Sequence, residues 1–186
     1  MKKNYSHSQK ILCFEYIILK LTDWYKELNP TVTHPEYVFG KLKSLKLLFF
    51  VSTVNATEKN PSLLKIFDKF YAMAYGPVEG EIYDAILNKE TSYFDIEDRI
   101  STIKSENARS TFFNELSSEL KEEVDQCITT LKSKNERLVN LKPFQLVDIS
   151  HKWPVWSGAM SIAQIFGKRS ELMETSEILN SPKFYE

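Results

Sequence analysis

Three histidines, two cysteines and a few close carboxylate pairs are the residues from which chemistry in this chain would have to be built. His7, His34 and His151 are far apart in sequence, and no His-x-x-x-His or Cys-x-x-Cys spacing accompanies them. Cys13 and Cys127 lie in helical patterns and read as two buried thiols rather than metal ligands or a disulfide framework. No order of Ser, His and Asp, or of Cys and His, supports a nucleophile activated by a base. Glu79/Glu81 and Glu122/Glu123 could pair as acid and base. Their placement at predicted helix starts explains them without catalysis, since negative charge suits the positive end of a helix. Gly76 and Gly80 lack the spacing and the Lys-Ser/Thr of a phosphate loop. The chain is therefore read as a non-enzyme without catalytic residues, metal or cofactor.

His151 alone sits in a patterned context. It reads either as a helix-end residue, whose imidazole bonds the last free carbonyls, or as a polar contact at an interface. His7 falls near the start of the chain, and His34 precedes Pro35 in a connection. Lys41, Lys43 and Lys46 lie on one predicted helix and raise the question of DNA recognition. Their neighbours Leu45, Leu47, Leu48, Phe49 and Phe50 instead predict a core helix with a solvated lysine face. Only four arginines occur, and arginine makes most specific guanine contacts.

Helices must position these residues. Ser8–Leu28 carries Ile11, Phe14, Ile18, Leu21, Tyr25 and Leu28 at alternating spacings of three and four, with Ile17 and Trp24 widening the stripe. Glu36 to about Val54 is a second helix, apolar nearly all round in its later half. Asn60-Pro61-Ser62 opens a short helix or turn. Lys69–Tyr75 is read as extended. Gly76-Pro77 is read as a turn into a helix over Pro77–Leu87, with Pro77 at the first helical position. Tyr93–Ile96 reads as a short strand able to pair with Lys69–Ala74, and the 95–104 stretch is ambiguous.

Ser118–Lys132 is a helix capped by Ser118, with Leu120, Val124, Cys127, Ile128 and Leu131 as its stripe. Pro143 to about Ser150 and Val155–Phe166 follow, the latter stopped by Gly167. Ser170–Leu179 is a last helix capped by Ser170. Trp156 is read as core, and Trp153 is left open between core and contact surface. The turn segments Tyr75–Pro77 and His151–Trp156 are expected to pack together.

Three ordered segments resemble the Panacea domain, the SocA-like antitoxin domain. Lys41–Phe50 is similar to the family's early Lys-Leu-x-Lys-Leu-Leu-Tyr-Phe helix. Ala74-Tyr75-Gly76-Pro77-Val78 with Ile82-Tyr83 is similar to its Tyr-Gly-Pro-Val and downstream Val-Tyr. Leu146–His151 with Trp153–Trp156 is similar to its Leu-x-x-Leu-Thr-His and Pro-Trp. The likeness runs from about Val38 to Ile178. Ser150 stands where the family has Thr, an Ala-Met-Ala run approaches Tyr75 in place of Ala-Trp, and the segment between Asn88 and Glu115 is divergent and charged.

The resemblance implies a module that neutralises a cognate toxin by direct binding, often phage- or prophage-associated. The alternative is a phage-type DNA-binding regulator. The family positions carried over are Tyr75, Gly76, Pro77, Val78, Tyr83, His151, Trp153 and Trp156, in structural or contact roles.

Composition bounds the rest. The 186 residues are 42% hydrophobic, and 24 basic residues stand against 25 acidic ones. A mainly α, single compact multi-helix domain with a minor two-stranded β-ribbon is expected. It divides into a helical extension over 1–35 packed on the core, a Panacea-like domain over 36–180 and a tail over 181–186. The charge balance disfavours general nucleic-acid or membrane affinity. The Lys2-Lys3 start is followed by an apolar run that Glu15 interrupts, with no cleavage-site pattern, which predicts a cytoplasmic protein without a leader. The wide first-helix stripe leaves room for a homodimer contact.

Overall fold

The structure is a computed structural model that describes residues 5–104 and 113–186. Lys2, Lys3 and the middle of the 88–115 segment lie outside the described residues. The architecture is helical with a small antiparallel sheet and a separate ribbon.

Helix α1 (His7–Leu28) starts at a capping box: Ser6 Oγ accepts from the Gln9 amide, and the Gln9 side chain accepts from the Ser6 amide. Cys13, Phe14, Ile17, Ile18, Leu21 and Trp24 are all buried in the common core. The breadth of the stripe is used inside the chain, because α1 contacts α2 (Lys41–Val54), α3 (Gly80–Leu87) and α4 (Ser118–Lys134).

The helix expected from Glu36 is split. Pro35–Val38 is a single 3₁₀ turn, and α2 begins only at Lys41. At the break the chain passes close to the ribbon: a β-carbon on Gly40 would sit 2.4 Å from the Arg99 carbonyl carbon, and the Lys41 amide donates to Glu97 O at 2.7 Å. Helix α2 is then central, touching α1, α3, α4, the sheet and α5 (Pro143–His151). Its lysines correct the sequence reading. Lys43 and Lys46 are buried rather than solvated, because no side of α2 faces water there. Lys43 lies over the rings of Tyr25 and Phe39 at 5.5 and 5.3 Å, and burial lowers its amine to about 8.

Strands β1 (Phe70–Met73) and β2 (Gly76–Glu79) form a hairpin across Ala74-Tyr75, with Met73 opposite Gly76 and Phe70 opposite Glu79. Pro77 therefore lies in a strand, not at a helix start. It is tolerated because β2 is the sheet edge, where a missing N–H leaves no ladder bond unmade. Helix α3 begins three residues later, at Gly80. Glu79 caps it by accepting from the Ile82 amide at 2.8 Å, and only Glu81 falls in its first turn.

Tyr93–Ile96 does not pair with β1. Strand β3 (Phe94–Ile96) pairs with β4 (Ser101–Ile103), which resolves the ambiguous 95–104 stretch as a ribbon. The other side of β1 is taken by β5 (Glu171–Leu172). The final helix expected from Ser170 is thus displaced to α7 (Thr175–Asn180).

The stripe of α4 is buried at all five expected positions, but its cap is Ser117, which accepts from the Leu120 amide at 3.3 Å. Glu122 and Glu123 lie past the first turn, and Glu123 pairs with Lys65. Helices α5 and α6 (Pro154–Ile165) follow, and Gly167, at φ +65°, ends the run.

Two buried carboxylates hold the layers together. Glu15 of α1 accepts from the amides of Ser92, Tyr93 and Phe94 at 3.2, 2.7 and 2.9 Å. Lys10 of α1 bonds Glu79 at 3.0 Å and also pairs with Glu81 and Asp68. The 181–186 segment is tied to the core. Lys183 donates to the carbonyls of Thr53 and Ala56, and the Tyr185 ring meets Phe50 and Trp153. Among the described residues, no helix is long and apolar enough to cross a membrane.

Candidate interaction site

The β1–β2 hairpin, α2, α5 and α6 meet around one buried amine. Lys46 of α2 has no solvent exposure and donates to the carbonyl of Pro77. Burial drives this amine well below the ordinary lysine range. Gly76 passes over it at φ +89°, a conformation that side chains disfavour. Ser150 of α5, below Gly76, donates to Val147 O at 2.8 Å.

His151, the last residue of α5, lies flat on the Trp156 indole, with centroids 3.8 Å apart and planes within 9°. Trp156 in turn donates to Met73 O at 3.0 Å, which braces α6 against the end of β1. His151 Nε2 is shut from water with no hydrogen-bond partner among the described residues. Desolvation is the largest influence on His151 and, with Lys46, lowers its pKa; Asp148 and the Ala74 carbonyl oppose this without reversing it.

This clamp fixes the turn beneath a pair of exposed rings. Tyr75 at the hairpin tip is 58% exposed and Phe144 in the first turn of α5 is 62% exposed. They meet edge to face with centroids 5.9 Å apart.

The structure thus gathers Tyr75, Gly76, Pro77, His151 and Trp156 at one place. Val78 is buried in β2 beside them. Tyr83 lies on α3, under the Lys41 ammonium at 5.8 Å. Trp153 belongs to the core: it is fully buried, packs edge-on to Phe49 at 4.7 Å and donates to Phe184 O. Trp153, left open by the sequence, is thus a core residue, whereas Trp156, expected in the core, is only partly buried against it.

The other candidates are elsewhere. His7 pairs with Glu90, and His34 stacks on Tyr37 beside Glu36. Cys13 and Cys127 are buried free thiols, each with its pKa raised by desolvation. Among the described residues, no group of three or more His, Cys, Asp or Glu side chains is placed to hold a metal.

Sequence reasoning placed Lys46 in water and missed Phe144. A lysine between Leu45 and Leu47 in an all-round apolar helix was the signal for the first. For the second, it was the helical spacing of Phe144 with Asp148 and His151, off the buried face.

A family model for the antitoxin SocA-like Panacea domain matches residues 45–157. The chain belongs to the Panacea-domain family. Within this Panacea domain, the match runs from α2 into α6 and takes in the whole clamp, Tyr75 and Phe144. Helix α1 precedes the matched segment, although its side chains share the core of the Panacea fold. No curated protein and no solved structure matches the chain.

Proposed function

We propose that this protein is an antitoxin-like binding module that neutralises a cognate toxin by direct contact, with Tyr75 and Phe144 at the centre of the contact surface. The observation that carries this reading is the exposed ring pair on a turn whose underside is anchored by Lys46 and Trp156. Aromatic side chains dominate binding hot spots, and a preformed surface loses little conformational freedom on association. Covering the exposed part of each ring would contribute about 2–3 kcal/mol. The toxin would be encoded beside this chain, in a phage-, prophage- or chromosome-borne pair acting in the cytoplasm. The DNA-binding reading would need the α2 lysines on a duplex, and Lys43 and Lys46 lie inside the protein.

The test is co-expression. A neighbouring reading frame that is lethal alone should become harmless with this chain and co-purify with it. Rescue should fail with Tyr75→Ala and Phe144→Ala combined. Full rescue by that double variant would remove this surface from the contact.

A further inference from the structure

We propose that the outer face of α6 is a self-association surface, on which a second copy of this chain docks antiparallel about a two-fold axis between Ser161 and Ile162. The proposal does not depend on the Tyr75–Phe144 surface, because it uses the side of α6 turned away from Trp156 and the hairpin.

Helix α6 rests on the core through Val155, Ala159 and Ala163. On its other side Gly158, Ser161, Ile162 and Ile165 recur at helical spacing, and all four are exposed. Ile165 is 77% exposed, the most open large hydrophobic among the described residues. Phe166, just past it, is 70% exposed and Ile162 46%. A solvent-facing helix face ordinarily carries charge, as α4 does with Glu119 and Glu122. Here no charged residue occurs from Trp153 to Gly167. The serine hydroxyls are satisfied within the helix: Ser157 donates to Pro154 O at 3.0 Å and Ser161 to Ser157 O at 2.9 Å. Nothing on this face calls for water.

The stripe is its own complement, which selects a second copy as the occupant. In an antiparallel pair about the stated axis, Ile165 faces Gly158 of the other copy, Ile162 faces Ser161 and Phe166 faces Ser157. Each large side chain thus meets a small residue, and the match occurs twice. Nothing lies within 4 Å of a β-carbon added to Gly158, so the hollow that receives Ile165 is open. A face without charge also meets its twin with no like charges opposed. Covering the three large side chains removes on the order of 400 Å² of surface from water on each copy. With the small residues between them, the pair passes about 1,000 Å², the lower end of specific interfaces. That size fits a reversible dimer. The α1 stripe plays no part in it, since the core uses that stripe.

Light scattering on the purified full chain, without partner, over a hundredfold range of concentration tests this. The mass should rise from 21.7 kDa toward twice that value. Ile165→Glu and Gly158→Leu should each weaken association by about tenfold or more. Gly158→Leu meets nothing in its own chain, so its melting temperature should not fall. Ser161→Cys should cross-link to its twin on mild oxidation, because the axis passes beside it. Gly158→Cys should not, since its twin lies about 10 Å away along the helix axis, out of disulfide reach. The native Cys13 and Cys127 are buried.

A mass that stays single at the highest concentration, a dimer that survives both Ile165→Glu and Gly158→Leu, or Gly158→Cys cross-linking as readily as Ser161→Cys would each overturn the pairing. A monomer that loses toxin binding in Ile165→Glu would assign the face to the toxin and overturn it as well. If one variant fails to fold, the wild-type concentration series and the remaining variants decide.

Discussion

Gly76 and Ser150 approach so closely that a β-carbon on Gly76 would lie 2.2 Å from Ser150 Oγ. The same added atom would lie 3.1 Å from Lys46 Nζ, so the glycine is what lets the hairpin close over the buried amine. Its φ of +89° adds a second, independent reason for glycine at this position.

Gly76→Ala should destabilise the protein by about 2–4 kcal/mol, combining left-handed backbone strain with overlap against Ser150. Gly158 offers the opposite case: it lies inside α6 with nothing within 4 Å of an added β-carbon. Gly158→Ala should stabilise by about 0.5–1 kcal/mol. Urea midpoints of the two variants should move in opposite directions.

Lys46 should make stability depend on pH. Its folded pKa lies well below the unfolded value near 10.5, so the unfolded chain binds more protons between those two values and stability rises with pH across that window. Lys46→Met should flatten the slope, with unfolding taking up about one proton fewer there. Urea unfolding at a series of pH values from 7 to 10 measures this. An unchanged slope would mean that Lys46 keeps its charge in the fold.

Glu15 accepts from the amides of Ser92, Tyr93 and Phe94. Glu15→Ala would remove this acceptor where α1 meets the start of the ribbon. A loss of about 3–5 kcal/mol is expected, with Glu15→Gln costing less because one oxygen remains to accept. Denaturant titration of both variants would show the order.

Tyr75→Ala and Phe144→Ala remove mostly exposed rings, so each should change folding stability by less than about 1 kcal/mol. Each should weaken partner binding by about 2 kcal/mol or more if these rings are anchors. Calorimetric titration with the co-purifying partner, run alongside a melting curve, separates binding from folding.

How legible this protein is from its residues varies from element to element. The α4 stripe could be read in full because helical periodicity is local: Leu120, Val124, Cys127, Ile128 and Leu131 face the core wherever the helix is placed. The same holds for α1, and for the Gly167 stop. Gly76-Pro77 could not be read so surely, because Gly-Pro suits a helix start and an edge strand equally. Pairing with Phe70–Met73 decides between them. The partner of Tyr93–Ile96 was likewise open until the ribbon closed locally on Ser101–Ile103.

The residue order determined where helices form, which faces are apolar and which family the turns resemble, because those depend on neighbours within a few positions. Only the tertiary structure decided that Lys43 and Lys46 go inside, that Trp153 rather than Trp156 fills the core, and that Tyr75 meets Phe144. Burial is a property of what surrounds a helix on every side, and here the surroundings of α2 come from segments spread over most of the chain. A lysine that sequence alone assigns to water is taken inside because covering α2 completely buries enough apolar surface to outweigh one desolvated amine held by one carbonyl.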